Sequence, residues 1–194
     1  MEVKGVLQVL EQCCLAESER EYVSAFSSTL DRTAGFSGTV SFKLNPLKDR
    51  LIVMSSTLSL VSDQGPEFSV KDTQNPVVYA LISDKPYVVP APNTLRNIDL
   101  NLLQLIKAAP QDDAMLCYPF KYGVNQQDHG VFVFFANRQK IDFIENNDTH
   151  KRLLKIMAGM LGIYSLAERK DQEKQTIRND LANQSRDSIQ RTVK

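Results

Sequence analysis

The chain has 194 residues, 42% of them hydrophobic and 24% charged, which gives room for one core domain with helical extensions and the balance of an ordinary soluble protein. Its formal net charge is zero, so electrostatics nominate neither nucleic acid nor an anionic membrane as a partner. The start, MEVKGVLQ, lacks a signal peptide's charged head and long apolar run, no stretch approaches a membrane span, and three cysteines (Cys13, Cys14, Cys117) cannot all pair internally, so a reduced, cytoplasmic setting is expected.

Val3, Val6, Leu7, Leu10 and Cys14 recur at helical spacing and predict an N-terminal helix over Glu2 to Ala16. Ser18 with Glu21 three residues on is a capping-box signal for a second helix carrying Tyr22, Val23, Phe26 and Leu30. Gly35 and Gly38 flank its exit. A strand over Thr39 to Leu44, a turn at Asn45 to Asp49 opened by Asn-Pro, and a strand over Arg50 to Ser55 then make a hairpin.

Val61 to Pro110 is irregular, punctuated by Pro66, Pro76, Pro86, Pro90, Pro92 and Pro110. Within it, Asn75-Pro76 opens a short helix over Val77 to Ile82, and Tyr87 to Val89 is a short extended run. Leu95, Ile98, Leu102, Leu105 and Ile106 predict a helix over Asn93 to Ala108. Short helices separated by prolines make a poor main core but suit a lid or pocket wall.

The centre of the chain reads as two strands, AMLCYPFKY (Ala114 to Tyr122) and VFVFF (Val131 to Phe135), joined by a polar loop over Gly123 to Gly130. The loop's two glycines with Asn125 and Asp128 suit a turn that needs positive φ. Val131 to Phe135 is apolar on both faces, so the sheet it belongs to must be covered on both sides.

Downstream, Asn147 or Asp148 suits the N-cap of a last helix running to Lys194, with Phe143 anchoring the approach from a loop. Leu153, Leu154, Ile156, Met157, Met160, Leu161 and Tyr164 give that helix a broad apolar face, in which Gly159 and Gly162 cost ~1 kcal/mol each unless backbones approach closely. Past Ala167 only Ile177, Leu181, Ile189 and Val193 stay apolar among mixed charges. Fully helical, the segment would reach about 70 Å at ~1.5 Å per residue, so its tail leaves the domain and its sparse stripe calls for a partner, expected to be a second copy.

Motifs for catalysis are missing. His129 and His150 have no ligand-spaced companions and read as surface residues rather than a metal site. Gly35 to Gly38 lacks the spacing of a nucleophile elbow, Asp112-Asp113 stands in a loop as a solvated pair, and Gly123 and Gly130 lack a phosphate loop's Lys-Ser/Thr. Of the adjacent cysteines, Cys14 is expected to be buried. Cys117, within a buried strand, is either a small hydrophobe or a pocket-lining redox thiol, which would need a depressed pKa and an opening to solvent. The tail's interleaved charges give no basic block for nucleic acid. No enzyme, metal or named cofactor is expected.

The order helix, hairpin, proline-broken helical insert, hairpin, long exit helix resembles that of GAF domains. The stretch Met115 to Arg169 is similar to their C-terminal half, with Pro119-Phe120 ending a strand, Gly130-Val131 opening the next, Phe143 in a loop and an acid, Asp148, at the last helix. The resemblance covers about Ser18 to Ala167. It implies an α+β fold: an antiparallel sheet with the N- and C-terminal helices on one face and the irregular helical insert on the other, closing over a small-molecule pocket. The cyclic-nucleotide subset's Asn-Lys, Phe and Asp-Glu pattern appears here as Asn137-Arg138, Phe143 and Asn147-Asp148, with the Lys and the Asp-Glu altered, which argues against that ligand. An Arg138–Asp148 pair would instead tie loop to helix. The bilin-attachment cysteine and the three-cysteine arrangement of GAF-type methionine sulfoxide reductases have no counterpart.

The charged ending, Glu168 to Lys194, looks like the linker between an N-terminal sensory GAF domain and the AAA+ module of bacterial sigma-54-dependent transcriptional activators. The implied division is a helix over 1–17, a sensory domain over 18–166 and an exit helix over 167–194 toward an output module. Implied partners are a small-molecule ligand or a regulatory protein, and a homodimer through the flanking helices, with no membrane and no direct nucleic-acid contact. Candidate pocket residues are Tyr79, Arg96, Asp99, Cys117 and Tyr118; the alternative for the tyrosines is plain packing and for Arg96 a surface pair with Asp99. The rival reading is a GAF-fold dimerisation or docking module without a ligand, its pocket filled by Phe132, Phe134 and Tyr118.

Overall fold

The computed structural model describes residues 15–61, 65–111, 113–122 and 128–145, with further positions at 11, 13, 152, 155, 156, 161, 167, 170, 171 and 173–177. Helix α1 (Glu19–Ala34) opens on the expected cap, Ser18, whose Oγ accepts from the Glu21 N–H at 3.1 Å; the Glu21 carboxylate reaches back one residue past the cap and accepts from the Glu17 N–H at 2.9 Å. It stops at Gly35, whose left-handed backbone (φ 66°) carries no side-chain penalty. Strands β1 (Gly38–Leu44) and β2 (Arg50–Ser56) follow as an antiparallel pair with a bulge between Ser41 and Phe42. At their turn Asn45 Oδ1 accepts from the Asp49 and Arg50 N–H groups.

The insert supplies β3 (Phe68–Ser69), α2 (Pro76–Ser83), β4 (Tyr87–Val89), a 3-10 turn (Pro92–Thr94) and α3 (Leu100–Ala108). Strands β5 (Ala114–Tyr122) and β6 (Asp128–Ala136) then pair, and α4 (Arg138–Glu145) follows. The six strands form one antiparallel sheet in the order β3-β2-β1-β6-β5-β4, so the central hairpin joins both halves.

Side-chain alternation splits the core into two layers. On one side Leu116 and Phe120 of β5 and Phe132 and Phe134 of β6 pack with Tyr22, Val23, Phe26 and Leu30 of α1, Ile141 and Ile144 of α4, and Cys13 and Leu161 from the two ends of the chain. On the other, Val131, Val133 and Phe135 of β6, Met115 and Cys117 of β5 and Val40 and Phe42 of β1 pack with α2, α3 and Phe68. The doubly apolar strand is thus covered by the terminal helices on one side and the insert on the other.

Several local expectations need correction. Gly130 lies within β6, opposite Phe120, rather than in the turn. A methyl group there would collide with the Phe120 ring and the Phe42 carbonyl oxygen, so glycine is required for close approach. The single helix expected over Asn93 to Ala108 is divided: Asn97 takes a left-handed conformation (φ 57°) and α3 starts only at Leu100, although Leu95 and Ile98 still pack against the insert-side core. Phe143 is on α4, not in a loop, and is 54% exposed; Ile141 and Ile144 of the same helix face the core, and Asn137 receives the Lys140 N–H at its first turn. Arg138 pairs with Asp142 one turn on (2.8 Å), while Asn147 and Asp148 lie outside the described residues. Cys14 is likewise outside them, and its neighbour Cys13 is fully buried. Every described position from 152 to 177 is helical.

Candidate functional site

The insert-side layer has a floor set by strand register. Val133 lies opposite Val40 on one flank and Cys117 on the other, and Cys117 lies opposite Tyr87 of the edge strand. Above this row sit Val77, Val78 and Ala80 of α2 and Leu102, Leu105 and Ile106 of α3, all buried, while Phe68 tilts over Phe42 with ring centroids 5.2 Å apart. The roof is two short helices whose ends are fixed by side chains. Asn75 caps α2 and Asp99 caps α3, with Asp99 Oδ1 accepting from the Leu102 N–H at 2.6 Å.

The five sequence-nominated residues do not converge. Cys117 is fully buried in the floor, and burial pushes its thiol far above the ordinary cysteine range. That suppresses the thiolate a redox sensor needs and leaves Cys117 as a small hydrophobe. Tyr118, its neighbour in the strand, points to the opposite side and packs against the helix-side layer, where burial also raises its phenol pKa. Phe132 and Phe134 lie on that helix side too, so they do not fill the space under the insert. Tyr79 is half exposed on α2 and meets Tyr87 edge-on, centroids 4.9 Å apart. Arg96 and Asp99 are exposed in the segment before α3; the Asp99 carboxylate caps the helix and forms no ion pair with Arg96.

Two polar groups stand out that spacing alone did not mark as functional. The Asn75 carboxamide is buried at the first turn of α2. Asp31 of α1 accepts from the hydroxyls of Thr39 and Thr57, both at 2.5 Å, and clamps the helix to β1 and to the end of β2. Burial raises the Asp31 pKa, and the two hydroxyls oppose that rise in part. Asn-Pro before a helix was a visible cap signal for Asn75; no local pattern joins Asp31 to residues 8 and 26 positions away. Among the described residues no cluster of three His, Cys, Asp or Glu could hold a metal ion, and no helix is long and apolar enough to cross a membrane.

No protein-family model matches this sequence, and no curated protein matches it. Solved structures do. The GAF domain of A. aeolicus nlh2 in an inactive state superposes with a TM-score of 0.63 at 12% identity, covering 86% of this chain and 96% of that one. The GAF domain of the Acinetobacter phosphoenolpyruvate-protein phosphotransferase gives 0.63 at 13%, covering 88% and 96%. The free methionine-R-sulfoxide reductase of Neisseria meningitidis, solved in complex with its substrate, gives 0.61 at 12%, covering 88% and 95%. The chain has the GAF-domain fold.

Proposed function

We propose that this chain is a regulatory, non-catalytic sensor domain in which a small-molecule ligand or a regulatory protein acts on the insert side of the sheet. The observation that carries the reading is the unequal cover of one doubly apolar sheet: the 16-residue α1 together with α4 on one side, and only the short, proline-separated α2 and α3 on the other. Occupancy favours one arrangement of the insert. The shift passes through β5 and β6 to the exit helix and so biases an attached output module, proposed to be the AAA+ ATPase of a sigma-54-dependent transcriptional activator. In this reading the sensor occupies 18–166, preceded by a helix over 1–17 and followed by an exit helix over 167–194. It works in the cytoplasm as a homodimer through the flanking helices, touching neither membrane nor nucleic acid. Exposed Ile177 on the exit helix, with exposed Ile156 ahead of it, supports the dimer, because a lone helix with sparse apolar residues is marginal.

A metabolite panel read by thermal unfolding tests the sensor. A ligand at a hundred times its Kd adds ~2.7 kcal/mol of stability. No shift across a broad panel, with capture of a partner protein instead, would favour the docking module. That second reading draws on the large apolar cluster under the insert and the exposed Tyr79–Tyr87 pair. Sedimentation with and without 167–194 tests the dimer; a monomer in both would remove it.

A further inference from the structure

Asn75 is 3% exposed, and three of its hydrogen-bonding groups are satisfied. Its N–H donates to the Asp72 carbonyl at 3.2 Å, its carbonyl accepts from the Tyr79 N–H at 2.8 Å, and its Oδ1 accepts from the Val77 N–H at 2.9 Å. The last bond settles which end of the carboxamide is oxygen, since a flipped amide would set donor against donor. Nδ2 is therefore committed to the other direction, where it is buried and meets no acceptor. A buried donor without a partner is unfavourable in a native fold and marks a place where another acceptor belongs. The N-terminal end of α2 adds the partial positive charge of its peptide dipoles at the same spot. The next residues, Val77 and Val78, are fully buried in the insert-side core.

We propose that the first turn of α2 is the head-group subsite of the insert side, where Asn75 Nδ2 donates to a carboxylate or carbonyl oxygen of a small ligand whose body is apolar. The inference rests on the ligand-sensing reading above and gives it a chemical class. The helix end ranks a carboxylate above a carbonyl, and the valines exclude a polar body. Because α2 packs on β5 and β6, seating an oxygen there would fix the roof against the central hairpin.

The test uses the intact chain and three matched series of two to six carbons: straight and branched monocarboxylates, their primary amides, and the corresponding amines. Carboxylates should raise the Tm most, amides less and amines not at all. Asn75→Asp keeps the oxygen that caps Val77, so the helix start is retained, but it replaces the donor with an acceptor; it should weaken carboxylate binding at least ten-fold by calorimetry. Asn75→Ser, a cap without Nδ2, should lose binding as well. Equal binding to wild type and both variants, or amines binding as well as acids, would overturn the subsite. If a broader panel yields only ligands without an acceptor head group, the subsite falls and the sensor stands. If nothing in any panel binds, the subsite and the small-molecule form of the sensor both fall.

Discussion

On its helix-facing side the sheet carries interlocked rings: Phe36 stacks on Phe134, Phe120 on Phe132, and Phe26 meets Phe132 edge-on, with centroids 4.3 to 5.3 Å apart. On its insert-facing side Phe42 meets Phe68 in the core and Tyr79 meets Tyr87 at the surface, while the rest, Phe135 apart, is aliphatic residues, methionine and cysteine under short helices. Aromatic pairs in fixed geometry add ~0.5–1.5 kcal/mol each beyond the area they bury, whereas small aliphatic side chains under a segmented roof lock little in place. The same sheet therefore has a side suited to holding shape and a side suited to changing it.

The largest expected break of that contrast is Phe132→Ala. It removes a ring that touches Phe26, Phe120 and Phe134, and it should cost about 3–5 kcal/mol in urea unfolding. Cys117→Val, at the centre of the other layer, should cost less than about 1.5 kcal/mol, since volume is nearly kept and no polar bond is lost. A similar loss at both sites would erase the distinction.

Asp31→Ala should cost about 1–3 kcal/mol by stripping two hydroxyls of their acceptor. The acid also sets a sign with pH. Its folded pKa lies above the unfolded value, so the folded protein holds the proton more readily. This group's contribution is complete below the ordinary carboxylate pKa and is lost as pH rises through the raised one. Asp31→Asn should flatten that segment of the stability–pH curve, and an unchanged slope would show that the clamp does not titrate there. Ser18→Ala, at the start of α1, should cost ~1 kcal/mol. Arg138→Ala, in an exposed pair, should cost about 0.5 kcal/mol or less.

Much of the architecture was legible because it rests on short-range rules. Val131 to Phe135 announces a sheet covered twice, Ser18 and Glu21 announce α1, and Asn75-Pro76 announces α2. What failed did so where a distant ring or a competing local cap overrode the simpler signal. Gly130 looks like a turn residue until the Phe120 ring is seen beside it, and α3 starts late because Asp99 caps it. The candidate site was less legible. Tyr118 and Cys117 were nominated together, although adjacent strand residues face opposite ways and alternation alone would have separated them. The open Nδ2 of Asn75 depends on how completely its surroundings bury it, which no spacing in the sequence records.

The most direct measurement is native-state amide exchange across the intact chain. The amides of α2 and α3 should open at a distinctly lower free energy than those of α1, β5 and β6, which should approach the global unfolding value. Exchange of both covers at one common free energy would contradict a sheet with one fixed side and one adaptable side.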